Sequence, residues 1–555
     1  MNAQVLVVGA GPVGLTLACE LFRHGVPCRV IDRLPAPHAQ SRATDIQPRT
    51  LEVFNAMGCL EDILSAGAER SNVAMFANGC KTLDLPLKGA DTPFCSVLGL
   101  AQSDTERILE AHLASLGGRV ERGVRLAHVD ARSARPLAVL LHPDGRWQEP
   151  AFDWIVGCDG ASSLVRRAIG DPFEGSTFEE RFFLADVTLK TDRPEAEMSL
   201  WTSAHGAMIV LPIPGPRRAR IFGDLDLDTD PEAELDEAAC RHLLATRTHG
   251  QIDCADIGWS SIFRVHTRQV ARYRDGRLLL AGDAAHIHSP AGGHGMNTGI
   301  QDAHNLAWKL ALVLKGLADE ALIDTYDAER RPVGRDVLSE TDLETRMSLW
   351  RNTFGQELIG GLMALSALLP PVRRKLLARQ FELDLHYKSD IIDEAHGSLL
   401  DAHMLPSDDD ESPSLSQWRA FDRGPRAGTR APDAPLSLGP HASLFELLGL
   451  HHVVLLFDGA ANTDAGYEAM IEAAEQIASR WSLAARCFAV VPRDSAPTSL
   501  ERACPVILDP SGALHARYGA DAACLYVVRP DGVIGYRAQP LEPDALIRWF
   551  ERTLL

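Results

Sequence analysis

The feature that most restricts this chain lies at its start. Val5-Leu6-Val7-Val8 is a continuous apolar run, the mark of a parallel strand buried on both faces. Gly9-Ala10-Gly11-Pro12-Val13-Gly14 follows without a break. Val13, Leu17, Ala18, Leu21 and Phe22 then recur at helical spacing, and Gly25 stands where a helix would stop. Cys28 to Ile31 reads as a second strand, with Asp32 and Arg33 at its end. Such a unit belongs to a parallel α/β sheet. Gly9 permits the tight turn. Gly11, with Pro12 opening the helix, lets the backbone approach a pyrophosphate at the positive helix N-terminus, and Gly14 lets the helix pack close to the strand. Asp32 can accept hydrogen bonds from ribose hydroxyls. The context predicts a dinucleotide cradle, for NAD or FAD alike.

Two later stretches narrow the choice. Trp154-Ile155-Val156-Gly157 reads as a strand running into Cys158-Asp159-Gly160-Ala161-Ser162-Ser163, by composition an ordinary turn. Leu278-Leu279-Leu280-Ala281 is another apolar strand, ending in Gly282-Asp283-Ala284-Ala285-His286. A glycine loop from Pro290 to Asn297 follows, and a helix begins near Thr298, with Ile300, Ala303, Ala307, Leu310 and Leu314 on one face. An aspartate at a strand end faces the carboxyl edge of a parallel sheet, where ligands bind. Asp283 there suits hydroxyl donors, such as a sugar alcohol chain. The glycine loop offers backbone amides to an electron-rich ligand.

Bulk properties exclude several classes. A chain of 555 residues is too long for one ordinary core and calls for two or three domains. Its net charge of −20 repels phosphate backbones and anionic lipid, so neither nucleic acid nor a membrane is expected as a partner. No run of apolar residues is long enough for a membrane span, and the N-terminus lacks the marks of a targeting peptide, so the expected compartment is the cytoplasm. The 11 cysteines form no C-x-x-C pair, which argues against a zinc site or a disulfide framework. His286, His288 and His294 lack metal-ligand spacing, so no metal is expected.

The three stretches, GAGPVG, CDGASSLVR and LLLAGDAAHIHSPAGGHGMNTGIQDAHNLAWKL, resemble the signatures of the single-component FAD-dependent aromatic hydroxylases, or group A flavoprotein monooxygenases. This is the group of p-hydroxybenzoate hydroxylase, phenol hydroxylase and the polyketide-tailoring hydroxylases. The resemblance runs over roughly residues 1–400 and is weakest between Pro172 and Arg274. It implies an α/β fold: a GxGxxG Rossmann-like FAD-binding domain with an inserted antiparallel β-sheet substrate domain, plus a C-terminal thioredoxin-like α/β domain. The corresponding divisions are 1–171 and 276–400 for the FAD-binding domain, 172–275 for the substrate sheet, 401–430 for a linker and 431–555 for the C-terminal domain.

The resemblance also implies roles. Asp283, following Gly282, would bind the ribityl chain of FAD. Gln102 would contact the flavin's ribityl side, and Arg42 would lie near the phosphates or the flavin entrance. Asp159 and Gly160 would sit in a motif tied to FAD and NAD(P)H contacts. Pro290, Gly292, Gly293 and His294 would flank the reacting edge of the flavin, with Gly295, Met296 and Asn297 along it. Many relatives carry Gln where this chain has His294. The implied cycle takes hydride from NADPH or NADH, traps O2 as a C4a-hydroperoxyflavin, and passes one oxygen to a small aromatic or polycyclic substrate. No second GxGxxG occurs, so NAD(P)H is expected to bind transiently against the FAD domain. The same motifs would serve epoxidation, Baeyer–Villiger-type insertion or antibiotic modification, because they bind FAD and say little of substrate. An NAD-dependent dehydrogenase or a dinucleotide sensor is the reading from another class, and the GDAAH…GMN block speaks against it.

Phe182–Val187, Ala207–Pro212 and Arg220–Gly223 read as strands of the substrate sheet. Trp201, Met208, Leu211 and Phe222 are candidate pocket lining, and each also fits plain sheet core. Arg217, Arg218 and Arg220 are expected at the surface of a Pro-rich turn. Pro406–Pro413 and Arg423–Gly428 read as linkers. Beyond them His452–Phe457 and Ala485–Val491 read as strands, with a hairpin about Asp531-Gly532. This tail resembles the thioredoxin-like domain of the phenol-hydroxylase branch but lacks C-x-x-C, so Cys487, Cys504 and Cys524 are expected only to pack. Its expected part is structural or in subunit contact, and a homodimer is left open.

Overall fold

The structure is a computed structural model describing residues 4–37, 43–190, 196–225, 235–348, 369–395, 413–438, 441–460 and 467–555. Arg42 therefore lies outside the described residues, as do 349–368 and 396–412 of the expected helical and linker stretches.

Val5–Val8 sits inside a six-stranded sheet in the order Arg274–Asp275, Leu278–Leu280, Trp154–Gly157, Val5–Val8, Cys28–Asp32 and Val120–Arg122. Every pairing is parallel except that of the Arg274–Asp275 edge strand. All four residues of Val5–Val8 are buried, as an apolar run covered on both faces requires. Helix Pro12–Arg23 packs on helix Gly295–Leu314. The latter is buried without interruption from Met296 to Leu312, far beyond the one apolar face its spacing predicts.

The substrate-side sheet has eight strands, in the order His286–Ile287, Cys254–Val270, Phe173–Leu189, Arg218–Leu225, Gly206–Pro212, Glu197–Ser203, Asn72–Ala77 and Cys80–Pro86. It is antiparallel except where Glu197–Ser203 meets Asn72–Ala77. Two of its strands thus come from the first stretch of the chain, ahead of 172–275. Alternation marks a strand but does not say which sheet it joins.

The two faces of this sheet differ. Phe183, Trp201, Met208, Val210 and Ile221 share one face with Cys240 and Leu244 of the covering helix Glu237–Arg247, and all are buried. Leu200, Ile209, Leu211 and Phe222 lie on the other face, in cross-strand register, and all four are only half-buried. Of the four candidate lining residues, Trp201 and Met208 lie on the covered face as sheet core, while Leu211 and Phe222 lie on the other. Met208 and Leu211 are an odd number of residues apart in one strand and so point to opposite faces. Trp201 stacks on Phe76 at 3.7 Å between ring centroids and donates its Nε1–H to Ser199 Oγ at 2.9 Å. The expectation for Arg220 is corrected. It belongs to strand Arg218–Leu225, not a surface turn, and its buried guanidinium pairs with Asp186 at 2.7 and 2.9 Å.

The C-terminal part forms a mixed six-stranded sheet: Asp393–Ala395, Ile534–Ala538, Cys524–Val528, His452–Phe457, Ala485–Val491 and Val506–Leu508. Tyr467–Arg480 and Pro543–Thr553 pack on one face. Phe421, Leu514 and Tyr518 pack on the other. Phe421 falls in the stretch expected as linker. The described part of that stretch instead carries helix Leu415–Arg423, closed by a Ser414–Gln417 capping box, and Phe421 is fully buried. Trp308 and Leu312 of helix Gly295–Leu314 join the C-terminal core. Beside them Arg529 binds Glu329 at 2.7 and 2.8 Å and Asp531 at 2.5 Å. Lys309 reaches the same glutamate at 2.8 Å, and Asn305 bridges it to Asp531. Among the described residues no helix is long and apolar enough to cross a membrane.

Candidate flavin and substrate site

The three sequence signatures meet around the first glycine loop. A Cβ on Gly14 would fall 2.0 Å from the Gly9 carbonyl oxygen, so the helix can lie this close to the strand only with glycine there. Gly9 in turn abuts the Cys158 carbonyl of the second signature. Val13 touches both Gly282 and Gly299 of the third, and Arg166 ties the second to the third through the Ala284 carbonyl at 3.1 Å. In front of Gly11 there is room: a Cβ built there finds only Glu106 Oε1, at 3.9 Å. The loop opens helix Pro12–Arg23 with no side chain capping its amides, the arrangement that receives a phosphate.

Asp32 ends its strand as expected, and its carboxylate accepts from the amides of Ala10 at 2.7 Å and Leu34 at 2.8 Å. Two backbone donors leave it capacity for ribose hydroxyls. Arg33 beside it is exposed. Gln102 begins helix Gln102–Ser115, donates its backbone N–H to the Ala43 carbonyl, and donates its side-chain amide to Glu106 at 2.9 Å. Asp159 accepts from the Leu164 amide at 2.7 Å, fixing the turn at Gly160. Burial raises its carboxyl above the ordinary range, against the hydrogen bonds that lower it. Asp283 is exposed on the single turn Gly282–Ala284.

The glycine loop is fastened from several sides. Pro290 is exposed, and Gly292 and Gly293 take positive φ of +75° and +69°. A Cβ on Gly293 would lie 2.8 Å from Asp45 Oδ2. The Gly292 carbonyl accepts from Gln47 at 3.1 Å and Gln380 at 3.3 Å. Asn297 is fully buried, donates to the carbonyls of Asp45 and Gly293 at 2.8 Å each, and accepts from the Gln47 amide at 2.9 Å. Its amide group shapes the loop. Met296 packs into the core behind, and Gly295 starts the helix against His288.

The loop borders the open sheet face. Arg70 donates to the Pro212 carbonyl at 2.8 Å and to Asp45 at 2.5 Å, joining the end of strand Gly206–Pro212 to the residue that backs Gly293. Helix Pro370–Gln380 closes another side, its Leu377 packing with Leu85, Val73 and Met198.

Sequence reasoning did not select Asp45, Gln47, Arg70, Asp302, Arg330 or Glu382. Asp302, inside the third signature, accepts from His286 at 2.7 Å, Arg330 at 2.7 Å and the Gly282 amide at 3.1 Å. Burial would raise its carboxyl, but Arg330 and His286 outweigh burial and hold it below the ordinary range. The three histidines of this region have separate partners: His286 has Asp302, His288 the Ser289 carbonyl, and His294 the carboxylate of Glu382. Among the described residues no group of three or more acidic, histidine or cysteine side chains could hold a metal ion.

These features are those of a flavoprotein cradle. The chain belongs to the FAD binding domain family, whose model matches residues 2–341. Among curated proteins it is similar to 6-methylpretetramide 4-monooxygenase of Streptomyces rimosus, 34% identical over 97% of this chain and 91% of that one. It is likewise similar to pentachlorophenol 4-monooxygenase of Sphingobium chlorophenolicum, 30% identical over 100% and 97%. Among solved structures, an aromatic hydroxylase from angucycline biosynthesis superposes with a TM-score of 0.71 at 29% identity, each chain covered in full.

Proposed function

We propose that this chain is an FAD-dependent monooxygenase that uses NADPH or NADH and O2 to hydroxylate a phenolic or polycyclic aromatic substrate. The observation that carries the reading is one juxtaposition. The cradle built by the three signatures and the half-open apolar face of the eight-stranded sheet meet through Pro212, Arg70, Asp45 and Gly293. The relatives that act on a pretetramide and on a chlorinated phenol match this chain over nearly its whole length.

The residues fit FAD by their chemistry. The amides of Gly11 and Val13 suit the pyrophosphate, Asp32 the adenosine ribose, and Asp283 and Gln102 the ribityl chain. Amides from Gly292 to Gly295 suit the flavin's pyrimidine edge. When bound, FAD supplies hydride acceptance and oxygen activation; the protein supplies placement and exclusion of water. Leu200, Ile209, Leu211 and Phe222 offer an apolar floor to a flat ring. Arg220 is answered by Asp186, so this floor favours a neutral or weakly acidic ring over a free carboxylate. The C-terminal sheet is assigned a thioredoxin-like and structural part, without dithiol chemistry.

The test is NAD(P)H consumption by the FAD-loaded protein with phenolic and polycyclic aromatics, with product and peroxide followed together. Faster oxidation with a hydroxylated product and little peroxide supports the reading. Protein that binds no flavin after reconstitution refutes it.

A further inference from the structure

Glu382 occupies a position that its own helix does not favour. It follows helix Pro370–Gln380 with φ of +58°. Its amide bonds the Arg379 carbonyl at 3.0 Å, and that of Leu383 bonds Ala378 at 2.8 Å. This is a helix exit that glycine makes without strain and other residues do not. An anion there also faces the negative end of the helix dipole. The carboxylate is nevertheless buried, and both oxygens are used by the element across from it. His294 Nδ1 lies 2.7 Å from Oε1, and Gln301 Nε2 donates to Oε2. Among the described residues no lysine or arginine pairs with Glu382.

The surroundings leave His294 as the group that can answer this charge. His288 contacts Gly295, and burial holds its imidazole neutral with a pKa of about 3. Asp45 backs Gly293 but is paired with Arg70. Arg49, whose amide reaches the Phe381 carbonyl, is paired with Glu52. Gln380 and Gln301 are neutral. A carboxylate hydrogen-bonded to one imidazole nitrogen fixes the tautomer and favours the protonated ring.

We propose that Glu382 is a positioning residue that holds His294, at the turn between the glycine loop and its helix, as a proton-storing group for the flavin site. The proposal rests on the FAD reading above. With FAD held by the cradle, its reduction by hydride from NAD(P)H would add one negative charge near this loop. His294 takes one proton from solvent in answer, with Glu382 as its hydrogen-bond partner, and it returns the proton when the charge is removed.

The test is the reduction potential of the bound flavin, measured anaerobically from pH 5 to 9 in the holoprotein. One proton per two electrons is the baseline slope for a flavin reduced to its anion. The wild type is expected to show a pH window in which the slope doubles, because His294 adds a second proton. His294→Gln should keep the single-proton slope throughout. Glu382→Gln should move the window to lower pH, since the imidazolium loses its counter-charge. Glu382→Gly, which relieves the backbone, should lose the window while remaining folded. A flavin-loaded wild type with the single-proton slope at every pH overturns the proposal alone, as does a window that survives Glu382→Gly unchanged. Absence of bound flavin overturns the functional reading and this proposal with it, and is seen before any titration begins.

Discussion

Helix Gly295–Leu314 is gripped by a buried glutamate in two places, and the two grips differ in kind. Near its start Glu382 meets a histidine and a glutamine. Further along, Glu329 meets Lys309 and Arg529, with Asp531 completing a fully buried set of two cations and two anions. Burial would raise the Glu329 carboxyl, but Arg529 and Lys309 outweigh it and hold the group far below the ordinary range. Arg529, Glu329 and Asp531 are held in their charged forms, while burial pulls Lys309 down to about 8, and the junction joins the cradle to the C-terminal sheet. The Glu382 junction faces the glycine loop, and its basic partner is an imidazole. A guanidinium anchors the junction that joins the cradle to the C-terminal sheet, and an imidazole the one where the proposed chemistry changes charge.

Replacing the guanidinium should have the largest effect. Arg529→Ala leaves Glu329 and Asp531 buried without their shared guanidinium and should cost about 3–5 kcal/mol, read as a shift of the urea midpoint. A shift below about 1 kcal/mol would mean that the junction is not held by its charges.

Acid should act next, and outside the Glu329 junction. Burial lowers the His24 pKa to about 4 and that of His288 to about 3. The unfolded chain therefore binds more protons than the folded one below pH 6.5, and stability falls as pH drops from there toward 3. Glu20 joins in below pH 4.5: burial would raise it, but Arg23 and His304 hold it at about 2. Each histidine accounts for at most about 1.4 kcal/mol per pH unit, so urea titrations at pH 6.5 and 4.5 should differ by about 2–4 kcal/mol. Glu329 is ionised in both states over most of that interval. A flat profile there would refute the assignment to the histidines.

Glu382→Gln should cost less than Arg529→Ala, about 1–2 kcal/mol, because it weakens two hydrogen bonds and leaves no guanidinium unpaired. Equal losses in the two variants would erase the contrast. Ser389→Ala, which removes a 2.7 Å hydrogen bond to Glu329 at the half-buried edge of the junction, should cost about 1 kcal/mol. Thermal unfolding suffices to see it.

What the sequence disclosed follows from how local each device is. Val5 to Asp32 can be read because its strand, loop, helix and acid are consecutive, and each residue type answers a short-range need. Residues whose partners lie far along the chain were invisible. Asp45 gains its place only when Arg70, Gly293 and Asn297 arrive from three other elements, and a lone Glu382 after a polar helix looks like any surface glutamate. The sheet is an intermediate case. Alternation separates Met208 from Leu211 within one strand, but it does not tell which face a helix from 237–247 will cover. Nor does it tell that 72–86 will add two strands. Phe421 and Asp531 were read as linker and turn because Ser, Gly and Pro around them signal loops, while their burial depends on the sheet they fold against.

The half-open face of the sheet also bears on how such a chain can diversify. Leu200, Ile209, Leu211 and Phe222 belong to strands whose opposite side already carries the packing. If this face holds the substrate as proposed, exchanging Leu200, Ile209 or Leu211 would alter what the molecule accepts while leaving the covered face in place. A lineage built this way can wander among substrates by small steps, each intermediate still folded, and the cradle is inherited intact.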